Sequence, residues 1–199
     1  MTTYRIFIAI EIPSSIRRLL TDYIEQLRGE FPETRASWSR EDNLHLTLKF
    51  LGDVPVTRIP DLAAACTDAA GTLGPFELAI STTGTFPPHG KPKVLWVGVG
   101  DAQPVPASRQ NLSSLQASLE SACAAHGFAR EERTYHPHLT IARLREAKKS
   151  RALAERHRQL VVGPRNFQVS EIVLFRSELS SRGSKHTALS RHELAAAVS

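Results

Sequence analysis

The 199-residue chain holds only two cysteines, Cys66 and Cys123, each isolated in an alanine-rich stretch. That number and placement argue against a disulfide framework or a thiolate metal site, and fit small buried residues of a reduced protein. Long hydrophobic runs are also missing. The apolar stretches are short and interrupted, so no transmembrane helix is expected. The first residues lack a basic segment followed by an apolar one, which argues against a secretory signal and makes the cytoplasm the expected location. Nothing is of low complexity. The length and a hydrophobic share of 41% suit one compact domain over residues 1–199 or two intimately packed lobes. A net charge of +5 suits a phosphate-rich partner but is too small to identify one.

What the chain has is one phrase used twice. His45-Leu46-Thr47-Leu48 and His138-Leu139-Thr140-Ile141 lie 93 residues apart (138 − 45 = 93). On a β-strand, side chains at i and i+2 share a face. Each copy therefore presents one imidazole and one hydroxyl on one side. Leu44, Leu46 and Leu48, or Leu139 and Ile141, point to a core on the other side. A single buried histidine on a strand is usually a satisfied core residue, and threonine is an ordinary strand former. A polar row repeated on two strands serves no packing purpose and would be costly if buried twice. Two such strands facing each other would gather two histidines and two threonines around one ligand.

The rest of the chain supplies a scaffold. Residues 4–11 read as a strand. A helix follows, with Ser14 or Ser15 as its cap and Ile16, Leu19, Leu20, Tyr23, Ile24 and Leu27 at helical spacing. The first motif strand spans 44–50 and stops at Gly52. A helix over 57–70 tolerates Pro60 in its first turn. Strands at 76–82 and 93–99 flank a Pro/Gly loop, and residues 100–107 make a crossover. A helix at 108–126, the second motif strand at 138–143, a basic helix at 148–160 and strands near 166–176 and 186–194 complete the pattern. The order strand, helix, motif strand, helix, strand thus occurs twice, with approximate halves 1–100 and 101–199. This suggests two α+β lobes about a pseudo-two-fold axis, with the cleft along that axis.

The motifs and their flanks, Trp38 to Gly52 and Tyr135 to Arg143, resemble the 2H phosphoesterase superfamily, in its branch of RNA 2′,3′-cyclic phosphodiesterases historically called 2′-5′ RNA ligases. Similar too are the opening Arg5 to Pro13, the central Gly84-Thr-Phe86-Pro87 and Val94 to Val99, and the late Ile172 to Leu179. His186 departs from the pattern, standing where relatives often carry tyrosine, and residues 87–93 are idiosyncratic. The resemblance implies a bilobal duplicated α+β fold, with two antiparallel sheets flanking a central cleft, helices outside and strands exchanged between the lobes. It implies hydrolysis of RNA 2′,3′-cyclic phosphate ends to 2′-phosphomonoesters, with 2′-5′ ligation as a side activity. A monomer with no obligate protein partner and no membrane association is expected.

The chemistry suits the residues. Opening a cyclic phosphodiester needs a base on the attacking water and an acid on the departing oxygen, on opposite sides of phosphorus. Histidine titrates near neutrality and can do either. By resemblance His45 is the acid and His138 the base, although both have the same local chemistry. Thr47 and Thr140 can donate to phosphate oxygens. Arg143 lies at i+5 from His138 and nominally faces away; by resemblance, and with a bulge, it becomes a phosphate ligand. Phe50, Tyr135 and His186 are candidate base or ribose contacts, with Phe86 nearby. Phe50 is otherwise a core residue in the row of Leu44, Leu46 and Leu48. Lys49, Lys91, Lys93, Arg145, Lys148 and Lys149 could steer an RNA tail. His89, His126, His157 and His192 read as surface residues. A zinc site wants a third ligand; His136 is the candidate, and Pro137 distorts the strand there, so metal-free and cofactor-free chemistry is expected. Other readings keep the cleft but change its use. They are hydrolysis of small cyclic nucleotides, such as ADP-ribose 1″,2″-cyclic phosphate, or of 2′-5′ oligoadenylates, and a non-catalytic RNA-end binding module.

Overall fold

The computed structural model describes residues 2–103, 110–146, 150–160, 162–163, 165–180 and 183–195. In chain order the elements are β1 (Thr3–Glu11), α1 (Ser14–Glu30), β2 (Ala36–Trp38), β3 (His45–Pro55), α2 (Ile59–Ala70), β4 (Phe76–Phe86), β5 (Val94–Asp101), α3 (Asn111–Ala125), β6 (His138–Leu144), α4 (Arg151–Gln159), β7 (Arg165–Val169), β8 (Glu171–Ser180) and β9 (Gly183–Glu193). They form an α+β architecture of two antiparallel sheets, in the orders β3-β1-β8-β9 and β2-β6-β5-β4-β7.

The sheets do not follow the halves of the sequence. β2, β4 and β5 come from the first half yet lie in the second sheet, with β4 between β5 and β7, while β8 and β9 return from the C-terminal part to complete the first, with β8 between β1 and β9. Ile6, Ile8 and Ile10 of β1, Leu46 and Leu48 of β3, and Leu95 and Val97 of β5 are buried in one continuous core. Ile16, Leu20, Ile24 and Leu27 of α1, with Leu62 and Cys66 of α2 and Leu115 and Cys123 of α3, pack into the same core. Both cysteines are free and buried, and burial pushes their thiols well above the usual range, so they pack as small apolar residues. No helix among the described residues is long and apolar enough to cross a membrane.

Several boundaries differ from the sequence reading. Neither Ser14 nor Ser15 caps α1; the cap residue is Pro13, whose carbonyl accepts from the Arg17 N–H at 2.9 Å. Proline's fixed φ already sets the entry geometry, so no side-chain cap is used. β3 runs on to Pro55 because Gly52 adopts φ +72°, a conformation glycine takes without penalty, and still pairs with Ile6. The single strand expected near 166–176 is two strands, β7 and β8, one in each sheet with a corner at Ser170. Alternation continues across such a corner, so periodicity cannot locate it. β2 has only three residues and exists because β6 pairs with it. Residues 104–107 of the expected crossover, 108–109 of the third helix, and Lys148 and Lys149 lie outside the described residues.

The two motif strands share a local device. In β3, Thr47 pairs with Ala9 and Lys49 with Ile8, leaving Leu48 as an extra residue. In β6, Thr140 pairs with Trp96 and Ala142 with Leu95, leaving Ile141 extra. At each bulge two successive side chains turn inward: Leu48 and Lys49, and Ile141 and Ala142. The residue five after each histidine therefore returns to the polar face; these are Phe50 (45 + 5) and Arg143 (138 + 5).

Candidate active site

His45 and Thr47 from the first sheet and His138 and Thr140 from the second line one cleft of about 870 Å³. Arg5, Arg40, Arg143 and Arg145 also line it, and among the described residues no aspartate or glutamate does. Converging cations without carboxylates make a field suited to a phosphate. Arg145 is held by Ser37 Oγ at 2.9 and 3.1 Å, and Arg5 lies over the Phe50 ring at 4.8 Å. Ser39 donates its hydroxyl to the Thr140 carbonyl at 2.6 Å, fixing β6. Asn43 donates to the Ser184 carbonyl at 3.0 Å and ties β9 to the entry of β3.

Each imidazole is anchored the same way. His138 Nδ1–H donates to the His136 carbonyl at 2.6 Å, leaving Nε2 available to a ligand. A backbone hydrogen bond from the His45 ring to Asn43, also two residues upstream, favours its charged form. The surroundings differ. His45 stacks on Phe7 with centroids 4.7 Å apart and meets the edge of His186 at 5.0 Å. Burial is the main cause pushing its pKa down to about 4; the His186 charge adds to the effect and the Asn43 bond opposes it. His138 meets Phe86 edge to face at 5.0 Å. Burial also lowers its pKa, the His136 carbonyl bond opposes this, and the Arg143 cation lowers it further.

The structure brings His45, Thr47, His138, Thr140, Arg143, Phe50 and His186 to the cleft. Arg143 arrives there through the bulge. Phe50 does not pack in the core row of Leu46 and Leu48: the same bulge in β3 turns it outward, and it is 48% exposed at the cleft. Tyr135, expected as a base contact, does not line the cleft. It packs against the core and donates its hydroxyl to the Thr47 carbonyl at 3.2 Å, bracing β3 from behind. Lys49, expected to steer RNA, is buried instead, its Nζ 2.7 Å from Glu120 Oε2 and 2.9 Å from the Ala129 carbonyl. His157 is not on the surface. It is fully buried, paired with the Tyr23 hydroxyl at 2.6 Å and with the Gly84 and Trp96 carbonyls at 3.1 and 3.0 Å. Lys91 and Lys93 are exposed, and neither lines the cleft. Among the described residues no group of three or more histidines, cysteines or carboxylates is placed to hold a metal ion.

Sequence reasoning missed Arg5 and Phe7. From Ile6 to Ile10 β1 is apolar in both rows, and a stretch apolar on both faces must have both covered. Phe7, Ala9, Val173 and Phe175 form a second, separate cluster under His45. Trp38 and Arg40 reach the cleft only because β2 adds to β6, which no local pattern announces.

A profile of the 2′-5′ RNA ligase superfamily matches residues 12–180. An RNA 2′,3′-cyclic phosphodiesterase of Methanothermobacter thermautotrophicus is 32% identical over 184 residues, covering 92% of this chain and 95% of that protein. One of Geobacillus stearothermophilus is 31% identical over 173 residues and 87% of this chain, which spans about half, 52%, of that relative's length. The crystal structure of a Thermus thermophilus protein superimposes with a TM-score of 0.79 at 26% identity, covering 97% of this chain and 99% of the other. Escherichia coli LigT complexed with 3′-AMP does so with a TM-score of 0.70, also at 26% identity, over 97% and 99%. With sequence similarity and fold agreeing over nearly the whole length, the chain belongs to the 2′-5′ RNA ligase superfamily.

Proposed function

We propose that the protein opens 2′,3′-cyclic phosphodiesters at RNA ends to 2′-phosphomonoesters, without a metal, using His45 and His138 as a general acid and base pair. The observation that carries this reading is the convergence of both carbonyl-anchored imidazoles, each with its threonine, on one arginine-lined cleft free of carboxylates among the described residues. The family's relatives carry the name of this activity.

In this scheme the phosphate lies between Thr47 and Thr140, whose hydroxyls donate to the non-bridging oxygens as phosphorus becomes five-coordinate. Arg143 adds a fixed cation. His138 takes the proton of the attacking water, helped by the Arg143 charge, which favours the neutral ring. His45 gives its proton to the departing 3′ oxygen. Without a bound anion, burial keeps His45 neutral near pH 7. A bound phosphate anion restores its proton, so the acid is charged chiefly when substrate is present. Each positioned proton-transfer group contributes ~10²–10⁴ in rate. Replacing water by a 5′-hydroxyl gives a 2′-5′ linkage by the same proton movements.

The test is incubation with a short RNA ending in a 2′,3′-cyclic phosphate, in EDTA, with the product identified by mass and by phosphatase sensitivity. The expected product is a 2′-phosphate, lost separately in His45→Ala and His138→Ala. Absence of turnover would favour the end-binding module. Dependence on added metal would refute the acid and base scheme.

A further inference from the structure

Toward the residues entering β6, the second sheet carries a recess of about 220 Å³, separate from the main cleft. His138 is the only described residue lining both. Glycines shape this face. The Trp96 indole lies across Gly84, where an added Cβ would sit 2.2 Å from the ring. At Gly98 an added Cβ would sit 2.3 Å from Thr82 Oγ1, and at Gly100 it would meet nothing within 4 Å. Phe86 and Trp96 form an aromatic wall, with centroids 5.3 Å apart, and His136 stands 6.1 Å from Phe86. Trp96 Nε1 is buried without a hydrogen-bond partner. No lysine, arginine or carboxylate lines the recess among the described residues. The corresponding face under His45 is closed by the Phe7, Ala9, Val173 and Phe175 cluster.

We infer that this recess is an acceptor subsite, seating the base of a nucleotide whose 5′-hydroxyl replaces water at His138. The inference rests on the proposed function, in which His138 handles the attacking oxygen. A volume below the roughly 300–1,000 Å³ of usual ligand clefts suits a single ring system. Aromatic walls stack any base, whatever its sequence. The lack of cations suits an end that carries a hydroxyl and not a phosphate, while the donor RNA keeps the arginine-lined cleft. In the reaction the 5′ oxygen bonds to phosphorus and its proton passes to His138. The bond from phosphorus to the 3′ oxygen breaks, and that oxygen takes the proton of His45. The product is a 2′-5′ phosphodiester, and no energy source is consumed.

The experiment supplies an RNA ending in a 2′,3′-cyclic phosphate together with a 5′-hydroxyl RNA trinucleotide, and measures joined against hydrolysed product. The same trinucleotide with a 5′-phosphate is the control. Wild-type protein is expected to join the hydroxyl form with saturation and the control not at all. Gly100→Leu and Ser81→Trp, which add bulk at two residues lining the recess, are each expected to lower joining about tenfold or more, the scale of one lost base stack. Hydrolysis of the donor alone is expected to be unchanged in both. The subsite is overturned if wild type hydrolyses the donor but joins no acceptor, or if both variants join as well as wild type. It is equally overturned if both variants lose hydrolysis in proportion, which would place the donor strand there. Failure of wild type to hydrolyse the donor at all would instead refute the proposed function.

Discussion

The strands bearing His45 and His138 bulge at the same step, yet the bulges deliver different groups. After His45 the inward pair is Leu48 and Lys49 and the outward residue is Phe50; after His138 they are Ile141, Ala142 and Arg143. The first histidine rests on a closed aromatic floor beside His186, and the second beside an open, glycine-lined recess. One backbone device has thus been used to build a site that is symmetric in its histidines and threonines and asymmetric in what surrounds them. In the function proposed above, chemistry common to both sides of a phosphate needs the symmetry, and distinguishing attacking from departing oxygen needs the asymmetry.

The comparison breaks first at the histidines. His45→Ala and His138→Ala are each expected to cost ~10²–10⁴ in kcat. If one variant kept wild-type turnover on the cyclic-phosphate RNA, the equivalence of the two copies would fail. The inward bulge residues are tested by stability. Lys49 and Glu120 form a buried ion pair, and Glu120 also accepts from the Glu131 N–H at 3.1 Å. Lys49→Met leaves that carboxylate buried and unpaired, so a loss of ~3–5 kcal/mol in denaturant unfolding is expected, largely relieved by adding Glu120→Gln. Equal stability of the single variant and wild type would show that the pair is not what holds this bulge.

The outward residues should separate by kinetic constant. Arg143→Ala is expected to lower kcat/KM by roughly 10–100-fold, because a charge-assisted contact to the reacting phosphate is lost. Phe50→Ala should mainly raise KM, by the ~1–3 kcal/mol of one stacked base, with kcat little changed. The reverse pattern would exchange their assigned roles.

The smallest effects are on pH. Burial holds both motif histidines below the ordinary value, His45 at about 4, so the kcat/KM profile is expected to be a bell centred on the acid side of 6.5. The kcat profile should move upward, since bound phosphate favours the imidazolium. A single ionisation would sink the paired scheme. His186→Gln removes one charge that disfavours protonation of His45 and should move the corresponding limb up by a fraction of a pH unit. Stability follows the same linkage. Below about 6.5 the unfolded chain takes up protons that folded His45 refuses until about 4, so folding stability should fall as pH drops through that window.

Most of the site was legible because its signal is local. A histidine and a threonine two residues apart, between leucines, fix which way a strand faces wherever it pairs, and His45, Thr47, His138 and Thr140 all reach the cleft. The helical faces of α1 and α3 were readable for the same reason. Arg143 and Phe50 form the instructive pair: strict alternation sends both inward, and both turn outward because β6 and β3 each carry one residue more than the neighbouring strand. A bulge belongs to the pairing of two strands and has no signature within one. Lys49 was misread by the same step, and Tyr135 because its hydroxyl finds a carbonyl on a strand 88 residues away.

The sequence by itself therefore determined the two motif strands, their helices and the chemistry they can present, since periods of two and 3.6 residues are written in neighbouring positions. The tertiary structure alone decided which strands cross between the halves (β2, β4 and β5 into the second sheet, β8 and β9 into the first), the two bulges, and the different settings of the two histidines. Each of these depends on which distant strand lies alongside, and that choice is made by packing one shared core.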